Sequence, residues 1–208
     1  MRLNVLFLTV LILGCVSKPI ELAGVEVRDY NGTDLSSIND FRENSIKGPQ
    51  YVNVTDYVLR ITGLVTNERN YSYNEVTGMQ SYLKLVTLNC VEGWSVKLLW
   101  KGVLVKDLIG EFSSSANTLI FYAVDGYSTS FPLDYVIGNN ILLAYEMNNV
   151  TIPPERGFPF QLVAEDKWGY KWIKWVNRIE VSDKADYEGY WERRGYSNSG
   201  SLNESMFS

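Results

Sequence analysis

The chain has 208 residues, of which 46% are hydrophobic, 13% aromatic and 21% charged. That balance excludes intrinsic disorder, collagen and coiled coil, and it allows one ample domain. The net charge of −5 argues against a nucleic-acid-binding surface, and the absence of any histidine rules out Ser-His-Asp triads, Cys-His dyads and His-ligated zinc, haem or copper.

Met1-Arg2 is followed by an apolar run over residues 3–16, about 14 residues where a bilayer span needs roughly 20. The run fits the hydrophobic part of an export signal. Its end, Ile12-Leu13-Gly14-Cys15, resembles a lipobox, with cleavage before Cys15 and a lipid anchor on that cysteine. An ordinary signal peptide with an incidental cysteine is the alternative. Residues 1–18 are thus the signal or lipoprotein segment, 19–196 one domain, and 197–208, small and polar, a flexible tail. Asn-x-Ser/Thr sequons at Asn31, Asn53, Asn70, Asn149 and Asn203 agree with an extracytoplasmic, membrane-anchored location. With Cys15 assigned to the anchor, Cys90 has no disulfide partner.

After a polar lead to about residue 50, runs rich in β-branched and aromatic residues predict strands at 57–65, 82–91, 118–124, 141–147, 160–164 and 172–181. Val105, Leu108, Ile109 and Phe112 share one face of a predicted helix at 103–112. Many strands and few helices predict an α+β domain, mostly mixed sheet with a few short helices.

Two places carry candidate chemistry. Cys90 opens Cys-Val-Glu-Gly-Trp-Ser at the end of a strand-like run, and Gly93 permits a turn there. The thiol is either functional or a small buried hydrophobe. Residues 167–175 hold three lysines and three tryptophans around Gly169. They form either an anion cradle of backbone amides and lysines, or a strand with lysines on one face and tryptophans on the other.

Together these segments resemble the oxidoreductase molybdopterin-binding domain family, which has the sulfite oxidase fold. The resemblance is carried by TLNCVEGWSVKLLWKGVLVKDLI (87–109), DGYSTSFPL (125–133), LLAYEMNN (142–149) and RGFPFQLVAEDKWGYKWIKWVNRIEV (156–181), with DFRENSIKGPQ (40–50) as a lead segment. It covers about residues 27–196 and implies one pyranopterin dithiolene carrying molybdenum or tungsten. On that resemblance Cys90 is the metal ligand and Tyr127 a catalytic residue facing the metal. Gly169, Tyr170, Lys171 and Lys174 form the phosphate cradle. Asn44 reaches the pterin, and Arg156 donates to the cofactor where the family commonly has a histidine. Gln161 stands where an arginine is common.

The implied reaction is two-electron oxygen-atom transfer. Glu92 and Trp94 after Cys90 are poor hosts for a small dianion, and CVEGWS resembles the bacterial branch that reduces protein methionine sulfoxide. A small-molecule or protein S-oxide is therefore the expected substrate, with sulfite oxidation second and a redox partner protein exchanging electrons. A different reading is a surface-anchored binding module that keeps the fold without the cofactor, favoured by the sequons and by a signal bearing Arg2 alone rather than a twin arginine.

Overall fold

The computed structural model describes residues 24–208. The expected signal and lipid-anchor segment, Cys15 included, lies outside the described residues. No described helix is long and apolar enough to cross a membrane.

The chain opens with a small hairpin, β1 (Asp29–Tyr30) and β2 (Thr33–Asp34), turning through Asn31 and Gly32 at positive φ. Next come β3 (Leu59–Gly63), β4 (Arg69–Tyr71) and a short helix α1 (Tyr73–Thr77), which begins with a Ser72–Glu75 capping box. The long hairpin β5 (Tyr82–Asn89) and β6 (Ser95–Leu104) leads into α2 (Val105–Ile109). A second hairpin, β7 (Thr118–Ala123) and β8 (Ser128–Pro132), leads into α3 (Leu133–Gly138). The remaining strands are β9 (Leu142–Met147), β10 (Val150–Thr151), β11 (Gln161–Val163) and β12 (Val176–Ser182).

Apart from the β1–β2 hairpin, these strands form two five-stranded sheets. In the first, β5, β6 and β9 are successive antiparallel neighbours, and β10 and β11 share the far edge of β9. The second has the order β4-β3-β12-β7-β8, antiparallel throughout except for the parallel pair β3–β12. The alternating β3 turns Leu59 and Ile61 into the core beside Ile179 and Val181 of β12.

β6 alternates only from Ser95 to Leu98 and is buried on both faces beyond that. Ser36 donates its backbone N–H to the Lys97 carbonyl at 2.9 Å, and Asn148 Oδ1 accepts from the Leu99 N–H at 2.9 Å. Leu98, Leu99, Trp100, Val103 and Leu104 are all buried. A bulge shifts the register with β9 at Lys101/Gly102, so that Lys101 pairs with Glu146 and Gly102 with Ala144.

The structure redraws several expected elements. Residues 103–104 complete β6, so the helix expected at 103–112 is confined to Val105–Ile109, where Val105, Leu108 and Ile109 are buried. Gly110, at φ 63°, ends it, and Phe112 pairs instead with Val65 in an isolated bridge. The strand expected at 172–181 begins only at Val176, because residues 169–175 turn aside to line a cavity. Residues 197–208, expected as a tail, are hydrogen-bonded to the rest of the chain and to one another. Ser197 N–H donates to Met206 O at 3.0 Å, Ser208 N–H to Gly195 O at 3.1 Å, and Tyr196 bridges Phe207.

Candidate active site

Residues 90–94 join β5 to β6 in a tight turn. Cys90 N–H donates to Trp94 O at 2.9 Å, and Gly93, at φ 87°, donates to Cys90 O at 3.1 Å. The turn leaves Cys90 only 7% exposed on the wall of a cavity of about 520 Å³, within the roughly 300–1,000 Å³ of small-molecule sites. Asn44 Nδ2 lies 3.6 Å from Cys90 Sγ. Trp94 packs against Phe41, ring centroids 5.6 Å apart, and its indole N–H donates to Glu92 Oε2 at 3.3 Å. Burial pushes the Cys90 thiol above its ordinary range. The Glu92 carboxylate adds to that, while the Glu92 and Val91 amides and the Asn44 side chain favour the thiolate.

Residues 169–175, Lys171 excepted, form the adjoining wall. Their 3-10 turn, Gly169–Lys171, sits against the Cys90 strand: a Cβ on Gly169 would lie 3.2 Å from Asn89 O and 3.4 Å from Cys90 Cα. Glycine is what allows this approach. Gly169, Tyr170, Ile173 and Lys174 all line the cavity. Lys174 Nζ donates to Glu43 Oε1 at 2.7 Å and to Glu155 O at 3.3 Å, and burial holds its ammonium below the ordinary lysine range.

Arg156 reaches the cavity but is already engaged. It donates to Ile38 O at 2.9 Å and Phe41 O at 2.7 Å, and it stacks over the Phe41 ring at 3.9 Å. It thereby ties the lead segment across the site. Gln161, at the start of β11, is buried and also lines the cavity. Tyr127 lines it too, with its hydroxyl donated to the Tyr170 carbonyl. Burial raises the Tyr127 phenol well above its ordinary range, so it keeps its proton and offers only its oxygen lone pairs to a ligand.

Lys171 departs from expectation. Its side chain is fully buried outside the cavity lining, not presented to a phosphate. Nζ donates to Glu192 Oε1 at 2.7 Å, Ser130 O at 2.8 Å and Asn198 O at 2.9 Å, which accounts for all three of its protons. Thr129 Oγ1 also donates to Glu192 Oε1, at 2.6 Å. Asn44, Cys90, Tyr127, Arg156, Gly169, Tyr170 and Lys174 share one cavity; Lys171 stands behind its wall.

Four further residues complete the site. Glu43 pairs with Lys174, and Ser45 lines the cavity with a buried hydroxyl that has no partner. Trp191 and Tyr196 line it as well, in contact at 5.3 Å. The density of aromatics at 187–196 is the sequence signal for this pair, which packing on the sheet would equally explain. Nothing in the sequence marks Glu43 or Ser45.

Comparison with known proteins decides the family. The model for the oxidoreductase molybdopterin binding domain matches residues 46–191. This chain belongs to that family. The oxidoreductase YuiH of Bacillus subtilis, itself uncharacterized, is 32% identical over 151 residues, which cover 71% of this chain and 76% of YuiH. A putative protein-methionine-sulfoxide reductase subunit, YedZ1 of Azospira oryzae, is 27% identical over 147 residues, covering 70% of this chain and 56% of YedZ1. The crystal structure of the sulfane dehydrogenase SoxCD from Paracoccus pantotrophus superposes with a TM-score of 0.64 at 20% identity, over 71% of this chain and 42% of that one. This chain therefore spans little more than half of YedZ1 and less than half of SoxCD, and the likeness to SoxCD is one of fold.

The chain is a molybdopterin-binding oxidoreductase of the sulfite oxidase fold. Its residues fit the cofactor. The cavity offers a thiol at Cys90, a partnerless hydroxyl at Ser45, the Lys174 ammonium and a glycine-lined turn in one continuous wall.

Proposed function

We propose that the chain carries out two-electron oxygen-atom transfer on a neutral S-oxide, with Cys90 as the protein's ligand to the metal. The observation that carries this reading is the placement of Cys90 Sγ, buried in the cavity wall between the Asn44 amide and the turn at Gly169. The molybdopterin supplies the oxygen-atom chemistry, and the protein supplies position and electrostatics.

A soft thiolate suits such a metal, and coordination would hold it deprotonated against the effect of burial. Among the described residues no group of three or more His, Cys, Asp or Glu is placed to hold a metal. One protein thiolate with the remaining ligands from the cofactor is consistent with that. Lys174 and the Ser45 hydroxyl are the groups suited to the cofactor's anionic end.

Charge around the cavity favours a neutral substrate. Glu43, Glu92, Asp125 and Glu155 line it against Arg42, Arg156 and Lys174, and Lys174 is paired with Glu43, so the lining carries no excess of positive charge. A dianion such as sulfite would find no surplus cation to receive it, whereas an S-oxide carries no net charge and needs none. The Phe41–Trp94 pair offers an apolar wall for a thioether side chain. The name of YedZ1 points to the same substrate class. Electrons come from a partner protein, since this sequence has no haem-attachment Cys-x-x-Cys-His motif. We place the protein outside the cytoplasm, anchored through a lipid on Cys15.

The test is metal and pterin analysis of protein from a host that makes the cofactor, wild type beside Cys90→Ser, followed by S-oxide reduction and sulfite oxidation assays in parallel. The expected result is about one molybdenum or tungsten per chain, S-oxide reduction outpacing sulfite oxidation, and a Cys90→Ser variant that keeps pterin but is inactive. Faster sulfite oxidation would reverse the substrate assignment. Folded wild type with neither metal nor pterin would leave the cofactor-free binding module as the account.

A further inference from the structure

We propose that residues 197–208 are a strap that positions the 169–174 loop against Cys90 and thereby sets how long the molybdopterin is retained. The inference rests on the cofactor assignment and concerns a segment beyond residue 191, where the family match ends.

The strap engages the three residues that lead into the loop and the first half of the loop itself. Leu202 N–H donates to Asp166 O at 3.0 Å, and Trp168 N–H donates to Gly200 O at 2.8 Å. Lys167 bridges Ser201. The Tyr170 hydroxyl donates to Ser197 O at 2.6 Å, and Lys171 Nζ donates to Asn198 O at 2.9 Å. Gly200 lets the two segments close. It sits at φ +58°, and a Cβ there would lie 2.4 Å from Lys171 Cγ and 2.9 Å from Lys171 Cδ. No side chain fits between the strap and the Lys171 stem.

The opposite side of the loop rests on Asn89 O and Cys90 Cα through Gly169. The loop is thus held between the Cys90 turn and the strap. Its cavity-facing residues, Tyr170 and Lys174 among them, keep their places relative to Cys90 only while both supports are present. Maintaining the core is not the strap's role, because the buried apolar cluster runs from Ile38 to Val181 and includes no residue beyond it. Nor is the strap loose chain, since it closes on itself through the Tyr196–Phe207 bridge, rings 5.1 Å apart.

The experiment compares full-length holoprotein with a variant ending at Tyr196 and with Gly200→Val. Three quantities are read: the rate of pterin loss, the thermal midpoint of cofactor-free protein, and the thiolate-to-metal absorption of the loaded fraction. Expected are pterin loss about 10-fold faster in both variants, the lower end of what outer supports of a metal site contribute, a shifted absorption band, and midpoints lowered by the disturbed Lys171 contacts. Wild-type rates with an unchanged band would overturn the proposal. So would lowered midpoints and faster pterin loss with an unshifted band in both variants, which is the signature of general destabilisation. If the truncated chain does not fold, Gly200→Val alone decides between these outcomes. A wild type that carries no pterin would sink the cofactor assignment and the strap's role with it, a result distinct from loaded wild type with unaffected variants.

Discussion

Lys171 and Lys174 stand three residues apart in the same basic run, yet one is sealed behind the cavity wall and the other faces into it. Sequence spacing does not separate them, because the turn between them follows neither helical nor strand periodicity. What separates them is the company each keeps: three buried acceptors for Lys171, one half-buried carboxylate and a carbonyl for Lys174. Their substitution should therefore fail in different ways. Lys171→Met leaves the Glu192 carboxylate buried without its cation, and Glu192 Oε2 already lacks a partner. Removing one member of such a pair costs about 3–5 kcal/mol. Urea unfolding should show that loss, and Lys171→Met/Glu192→Gln, which still offers Thr129 an acceptor, should recover most of it. Lys174→Met should change the unfolding midpoint little and lower pterin content about 10-fold. Equal losses of stability in the two single variants would show that the distinction is wrong. Cys90 was more legible than either lysine, since a strand run ending in Cys-x-x-Gly announces its turn. The Arg156 contacts to Ile38 and Phe41 span more than a hundred residues and leave no local trace.

At the level of elements, legibility followed exposure. β3, β5, β7 and β9 each lie inside an expected run, trimmed at the ends. β6 was hidden because burial on both faces removes the alternation that marks a strand, so its last residues resemble one face of a helix. β8 was hidden for a different reason. Its buried Ser128, Thr129 and Ser130 look like a polar turn until their hydroxyls meet Tyr187 and Glu192. Gly102 tests the β6 assignment. A Cβ there would lie 2.2 Å from Leu143 O and 2.6 Å from Ala144 Cα, backbone atoms that cannot swing away. Gly102→Ala should destabilise by the upper end of the roughly 1–3 kcal/mol that overpacking costs. Hydrogen exchange should show the loss of protection centred on β6 and β9; an alanine tolerated without change would mean the bulge is placed wrongly.

At the scale of the whole molecule, the two sheets are assembled from the chain in different ways. The first takes β5 and β6, then β9 to β11, with β7 and β8 of the other sheet lying between them in the chain. The second gathers β3 and β4, then β7 and β8, and closes only when β12 arrives to lie between β3 and β7. The parallel β3–β12 pair joins Arg60 to Arg178, and contacts of such long separation form slowly. A chain growing from its N-terminus thus acquires every strand of the first sheet while β3 still has an open edge. Residues 169–174 and 197–208 emerge around and after β12, so the walls of the cavity are among the last parts to be made. A partly synthesised chain holds Cys90 in its turn but cannot yet enclose a pterin, and insertion must wait until synthesis is nearly complete. In pulsed hydrogen exchange during refolding, the amides of β6 and β9 should gain protection before those of β3; simultaneous protection would rule out this order.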